Sequence, residues 1–115
     1  MSTISTHVLN TSLGRPAADV RVRLDLQGKD GEWELLWEGR TDSDGRVAGL
    51  SPVQPPGFGA GIYRITFETG EYFSSLNQDC FYPYAAIVFQ IHDPAQHYHV
   101  PLLLNPFGYS TYRGS

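Results

Sequence analysis

Apolar and polar residues alternate along much of this chain with a period of two. From Val20 to Leu26, Val20, Val22, Leu24 and Leu26 fall on one face, while Arg21, Arg23 and Asp25 fall on the other. That is the pattern of a half-buried strand. Gly28-Lys-Asp-Gly31 supplies a turn, and Trp33 to Arg40 is the expected hairpin partner. Thr41-Asp-Ser-Asp-Gly45 reads as a second turn, because Asp side chains bond the local backbone and Gly permits its sharp reversal. Val47 to Gly59 reads as a loop, broken by Pro52, Pro55 and Pro56. Ile62 to Phe67, Ala85 to His92 and His97 to Leu104 are further strands, the last two joined by a turn at Asp93-Pro94-Ala95-Gln96. Asn105-Pro-Phe-Gly108 turns into a terminal strand, Tyr109 to Arg113. Ile4 to Leu9 opens the chain as a strand, followed by a turn over Ser12 to Pro16. One helix is expected, over Glu71 to Asn77, with weak propensity and poor caps. Roughly eight short strands at regular spacing predict an antiparallel sandwich or barrel.

The 115 residues fit one domain, 1–115, with no internal repeat or linker, and a chain of this size buries a core without staples. Twelve Gly and eight Pro agree with many tight turns. Cys80 is the one cysteine, so no intramolecular disulfide forms, which points to a reducing compartment. The opening Met1-Ser-Thr-Ile-Ser has no basic flank or apolar run of signal-peptide length. No stretch approaches the roughly 20 apolar residues of a membrane span. A soluble, cytoplasmic protein is expected, with no membrane partner. Eight basic against twelve acidic residues leave a net charge of −4 and no basic stripe, which argues against a nucleic-acid partner.

Four groups are candidates for chemistry. In His97-Tyr-His99 the two imidazoles share one face of a strand, fit either for proton transfer near neutrality or for a metal, the plain alternative being solvated strand histidines. His7 lies within an otherwise apolar strand, where a lone His is more often structural than functional. Arg46 follows the Asp44-Gly45 turn, a place where arginines are usually just solvated. Asp42-x-Asp44-Gly45 resembles part of a calcium loop but lacks the following bidentate Glu, so it is read as a turn. There is no Gly-x-Ser-x-Gly elbow, Cys-x-x-Cys pair or phosphate loop. If the chain is an enzyme, water is the expected nucleophile.

The C-terminal His97-Tyr-His-Val-Pro-Leu-Leu-Leu104, followed by Tyr109-Ser-Thr-Tyr-Arg-Gly-Ser115, resembles the closing signature of the 5-hydroxyisourate hydrolases, the transthyretin-related proteins. Ser5-Thr-His-Val-Leu-Asn-Thr-Ser-Leu-Gly-Arg-Pro-Ala17 is similar to their opening signature, and Thr41-Asp-Ser-Asp-Gly-Arg46 to their internal turn. The three blocks occur in the family's order. Asn10 replaces a common Asp and Asn105 a common Ser, both at motif edges.

The resemblance implies an all-β, transthyretin-like sandwich of two four-stranded sheets with one short helix. It implies a homotetramer, a dimer of dimers, with active sites in the channel between dimers. Those sites would use His7, Arg46, His97, His99 and Ser115 in catalysis, with His7, Arg46, Tyr112, Arg113 and Gly114 holding substrate. The implied reaction is hydrolytic opening of 5-hydroxyisourate in urate breakdown, without cofactor or metal. Relatives occur in the cytosol, in peroxisomes or outside the cytoplasm. Three rivals remain: a transthyretin-type hormone carrier, which shares the fold without the hydrolysis; a zinc hydrolase using His7, His97 and His99; and a purely structural sandwich domain, which leaves the terminal signature unexplained.

Overall fold

The structure is a computed structural model that describes residues 3–47, 50 and 58–114. The strands are β1 (Thr3–Ser5), β2 (Val8–Asn10), β3 (Arg15–Pro16), β4 (Arg21–Gln27), β5 (Trp33–Arg40), β6 (Gly61–Phe67), β7 (Ala85–Ile91), β8 (His97–His99), β9 (Leu102–Asn105) and β10 (Gly108–Thr111). Among the described residues one helix is present, α1 (Thr69–Ser75), after β6. Two four-stranded sheets form, ordered β10-β9-β2-β3 and β5-β4-β6-β7, with β1 and β8 paired as a separate ribbon. The expected sandwich of two four-stranded sheets with one short helix is therefore present. Most of the expected loop from Val47 to Gly59, residues 48–49 and 51–57, lies outside the described residues.

The inward faces of both sheets meet in one core. Val8, Leu102 and Leu104 come from the first sheet, and Val22, Ile65 and Phe67 from the second, each at most 1% exposed. Alternation in β4 holds for Val20, Val22 and Leu24, but a register shift between Leu24 and Asp25 interrupts it. Asp25, expected on the solvent face, is 6% exposed. Its carboxylate accepts from Arg64 at 3.1 and 3.2 Å, and that guanidinium lies 4.3 Å over the Trp33 ring. A carboxylate so buried needs such a partner. The helix starts two residues earlier than its sequence predicts, and no side chain caps its N-terminus. Burial of Thr69, Tyr72 and Phe73 holds it instead, the usual support for a helix too short to stand alone.

Not every pairing is antiparallel. β1 runs parallel to β8, and β2 parallel to β9. Each expected long strand, Ile4 to Leu9 and His97 to Leu104, is split in two, and the splits face each other. Pro101 has no N–H to offer, so the ladder loosens there. Val100 N–H donates to the Ser5 carbonyl at 2.8 Å and Leu102 N–H to the His7 carbonyl at 3.0 Å, so the register runs unbroken through the gap. The ribbon is thus an outward extension of the first sheet. The expected turn over Ser12 to Pro16 contributes β3, which pairs antiparallel with β2.

The turn after β5 docks on this same strand. Asp42 Oδ1 accepts from the N–H groups of Asp44 and Arg46, at 2.9 and 3.0 Å, and Val8 N–H donates to the Gly45 carbonyl at 2.8 Å. Gly45 has φ +75°, and a Cβ there would collide with the Val8 carbonyl oxygen. Gly45→Ala should therefore destabilise the fold by at least about 1–2 kcal/mol, the cost of a left-handed residue with a Cβ. Urea unfolding monitored by tryptophan fluorescence checks it; an unchanged midpoint would show that the turn adapts freely.

Candidate active site

Parallel pairing sets Thr3 beside His97, Ile4 beside Tyr98 and Ser5 beside His99. Ile4 and Tyr98 point into the core at 3% and 4% exposure, which puts both hydroxyls and both imidazoles on the outer face. The expected shared face of His97 and His99 is present. Ser5 Oγ lies 2.8 Å from His99 Nδ1 and 2.8 Å from His97 Nε2, and His97 Nδ1 bonds Thr3 Oγ1. His97 is exposed and His99 half-buried.

Two isolated bridges bring His7, Arg46 and Gly114 to this face. His7 pairs antiparallel with Arg46, and His99 with Gly114. The first follows from the docked turn, whose Asp44 carbonyl also accepts from His7 Nε2 at 2.8 Å. A carbonyl only accepts, so His7 carries a proton on Nε2, and in its neutral form Nδ1 is the acceptor. The second bridge ties the chain end to the ribbon through Gly114 N–H, which donates to the His99 carbonyl at 2.8 Å. A Cβ on Gly114 would strike the His99 ring. Only glycine lets the backbone lie flat against the imidazole.

The other tail residues have distinct surroundings. Arg113 lies 4.5 Å over the Tyr98 ring and donates to Gln96 Oε1 at 2.9 Å, so its guanidinium anchors the tail. Tyr112 is 59% exposed. Thr111 Oγ1 donates to the Pro101 carbonyl at 2.7 Å and fixes the strand just before them. Ser115 lies outside the described residues. Sequence reasoning passed over Ser5, Thr3 and the Asp44 carbonyl. The alternation of hydroxyl, apolar and hydroxyl at Thr3-Ile4-Ser5 was the available signal, but its partner strand lies at the other end of the chain.

Electrostatics favour a neutral His99. Its pKa is pushed below the ordinary imidazole range, first by burial and then by the positive charges of His97, Arg46 and His7; a hydrogen bond to the Ser5 backbone acts the other way. An imidazole kept neutral beside a permanent cation suits proton abstraction next to a developing negative charge. Among the described residues no group of three or more His, Cys, Asp or Glu takes an arrangement that would hold a metal ion.

The HIUase/Transthyretin family model matches residues 4–114, nearly the whole chain. The chain belongs to the HIUase/Transthyretin family. Within that family it is 46% identical over 112 residues to the 5-hydroxyisourate hydrolase of Salmonella typhimurium, a match covering 97% of this chain and 80% of that protein. The structure of the Klebsiella pneumoniae 5-hydroxyisourate hydrolase superposes with a TM-score of 0.85 at 39% identity, covering both chains completely. Sea bream transthyretin in complex with thyroxine superposes with a TM-score of 0.89 at 31% identity, covering 96% of this chain and 93% of that one. The family thus includes both hydrolases and a thyroxine-binding protein. No helix among the described residues is long and apolar enough to cross a membrane.

His99 should titrate below a free imidazole when followed by proton NMR across pH 4 to 8, roughly the span over which imidazoles titrate. The shift should shrink when Arg46 is neutralised by Arg46→Gln. A titration at or above the ordinary value would contradict the burial and charge argument.

Proposed function

We propose that the protein is a 5-hydroxyisourate hydrolase that opens the substrate ring to 2-oxo-4-hydroxy-4-carboxy-5-ureidoimidazoline with water alone, using neither cofactor nor metal. The observation that carries this reading is the gathering of His7, Arg46 and His99 on one outer face by two short bridges and a common strand pairing. Greater overall identity to the hydrolases than to the thyroxine-binding relative supports it. A hormone-carrier reading has less in its favour, since this face offers imidazoles and a guanidinium where an apolar ligand needs apolar walls.

In the proposed reaction His99 takes a proton from water as the oxygen attacks a ring carbonyl. Arg46 faces the carbonyl oxygen as it gains negative charge; its planar fork of donors stays charged throughout. The ring C–N bond then breaks, and the departing nitrogen receives the proton that His99 took. His7, fixed by the Asp44 carbonyl, is the partner imidazole that orients the substrate's polar edge. Tyr112, Arg113 and Gly114 belong to the tail that would close the site, with Arg113 holding it in place through Tyr98 and Gln96. His97 shares the proton work through its hydrogen bond to Ser5.

The exposed outer face supports assembly into a homotetramer, a dimer of dimers whose channel would cover these groups. Multi-angle light scattering should give four times the 12.8 kDa chain mass. A fully active monomer would remove the channel from the account.

The decisive assay follows ultraviolet decay of freshly made urate oxidase product, with and without chelator-treated protein. His99→Ala and His7→Ala should each lower turnover roughly 10²- to 10⁴-fold, the range for a lost acid–base group. Arg46→Lys should also lose most activity, because a point charge does not reproduce the fork. Activity should fall as pH drops through the depressed His99 pKa, since the protonated ring cannot accept. Unaccelerated decay by the intact protein would refute the hydrolase reading, and reversible loss on chelation would replace it with a metal-dependent one.

A further inference from the structure

We propose that Ser5 is a positioning residue that couples the tautomers of His97 and His99, so that His99 keeps its proton on Nδ1 and turns an unprotonated Nε2 to water. The proposal rests on the reading of His99 as the base. Its geometric ground is one hydroxyl held 2.8 Å from a nitrogen of each ring.

A hydroxyl has one proton to give and two lone pairs to receive. Placed between two neutral imidazoles, Ser5 accepts from His99 Nδ1–H and donates to His97 Nε2. His97 then carries its own proton on Nδ1, where Thr3 Oγ1 accepts it. Each nitrogen in this row has a partner of the right kind. The opposite sense would place the His99 proton on Nε2, where it blocks the base. The Ser5 backbone also favours a ring N–H on His99, which agrees with the first sense. The strand pairing fixes Ser5 beside His99, and Val100 N–H pins the Ser5 carbonyl at 2.8 Å.

The same row gives the acquired proton somewhere to go. When His99 Nε2 takes a proton from water, its Nδ1 proton passes to Ser5 Oγ while the Ser5 proton passes to His97 Nε2. One proton enters and one moves at each step, and the positive charge ends on His97. His97 is exposed, so its cation is hydrated, whereas His99 is half-buried beside Arg46. Reversing both transfers returns a proton to His99 Nδ1 as Nε2–H is given to the departing nitrogen. His97 thereby acquires a role that does not require it to touch the substrate.

The test compares Ser5→Ala and Ser5→Thr in the intact protein. Steady-state kinetics should show kcat reduced roughly ten- to a hundredfold in S5A, the usual loss when the partner orienting an imidazole is removed. KM should change little, and S5T, which keeps the hydroxyl, should restore most of the rate. Nitrogen-15 NMR of histidine-labelled protein reads the tautomer without any turnover. His99 should be Nδ1–H in the native protein and in S5T, and shift toward Nε2–H in S5A. Thermal melting confirms that each variant is folded. Full kcat in folded S5A, or a native His99 protonated on Nε2, would overturn the proposal. Equal losses in S5A and S5T with an unchanged tautomer would overturn it as well, by showing a packing role. These results separate from failure of the base reading, in which His99→Ala itself would remain active.

Discussion

Backbone hydrogen bonds between the first ten residues and the segment from 97 to 105 join the two ends of the chain in parallel, in one register on both sides of Pro101. Every functional candidate depends on that ladder. Because side chains alternate across a strand, one register sends Ile4, Tyr98, Val8 and Leu102 inward and leaves Ser5, His97 and His99 outside. A slip by one residue would bury two imidazoles and expose the apolar set, so the core itself holds the site in place. The hydrophobic burial that stabilises the sandwich therefore also aims its polar groups.

Two close backbone approaches complete the arrangement. Gly45 lets the Asp42–Arg46 turn lie against Val8, and Gly114 lets the tail lie against the His99 ring. Each joins a distant stretch of chain to the ladder by a single bridge. The turn delivers a fixed positive charge, and the tail delivers partial burial. Both act on His99 in the same sense, against its protonated form.

A family containing hydrolases and a thyroxine-binding protein on one frame shows how little the sandwich decides about chemistry. Here the candidate groups are a few outward residues set on paired strands, apart from the inner core. Ser5 illustrates the point: it adds nothing to the core, yet it bonds both imidazoles.

Legible in the residues alone were the alternating strand segments, the inward set in β4 before its bulge, the turns, and the common face of His97 and His99, though not the division into ten strands among the described residues. These follow from periodicity and turn chemistry, which are local. The motif blocks also marked His7 and Arg46, although spacing alone offered no reason to join them. Tertiary structure decided the rest. It buried Asp25 against Arg64, whose guanidinium lies over Trp33, began the helix at Thr69 through packing of Tyr72 and Phe73, and divided the two long strands opposite Pro101. It also paired Ser5 with His99 and Gly114 with the same histidine. Such contacts form between residues far apart in the chain, and their energy comes from burial and register that no local window contains.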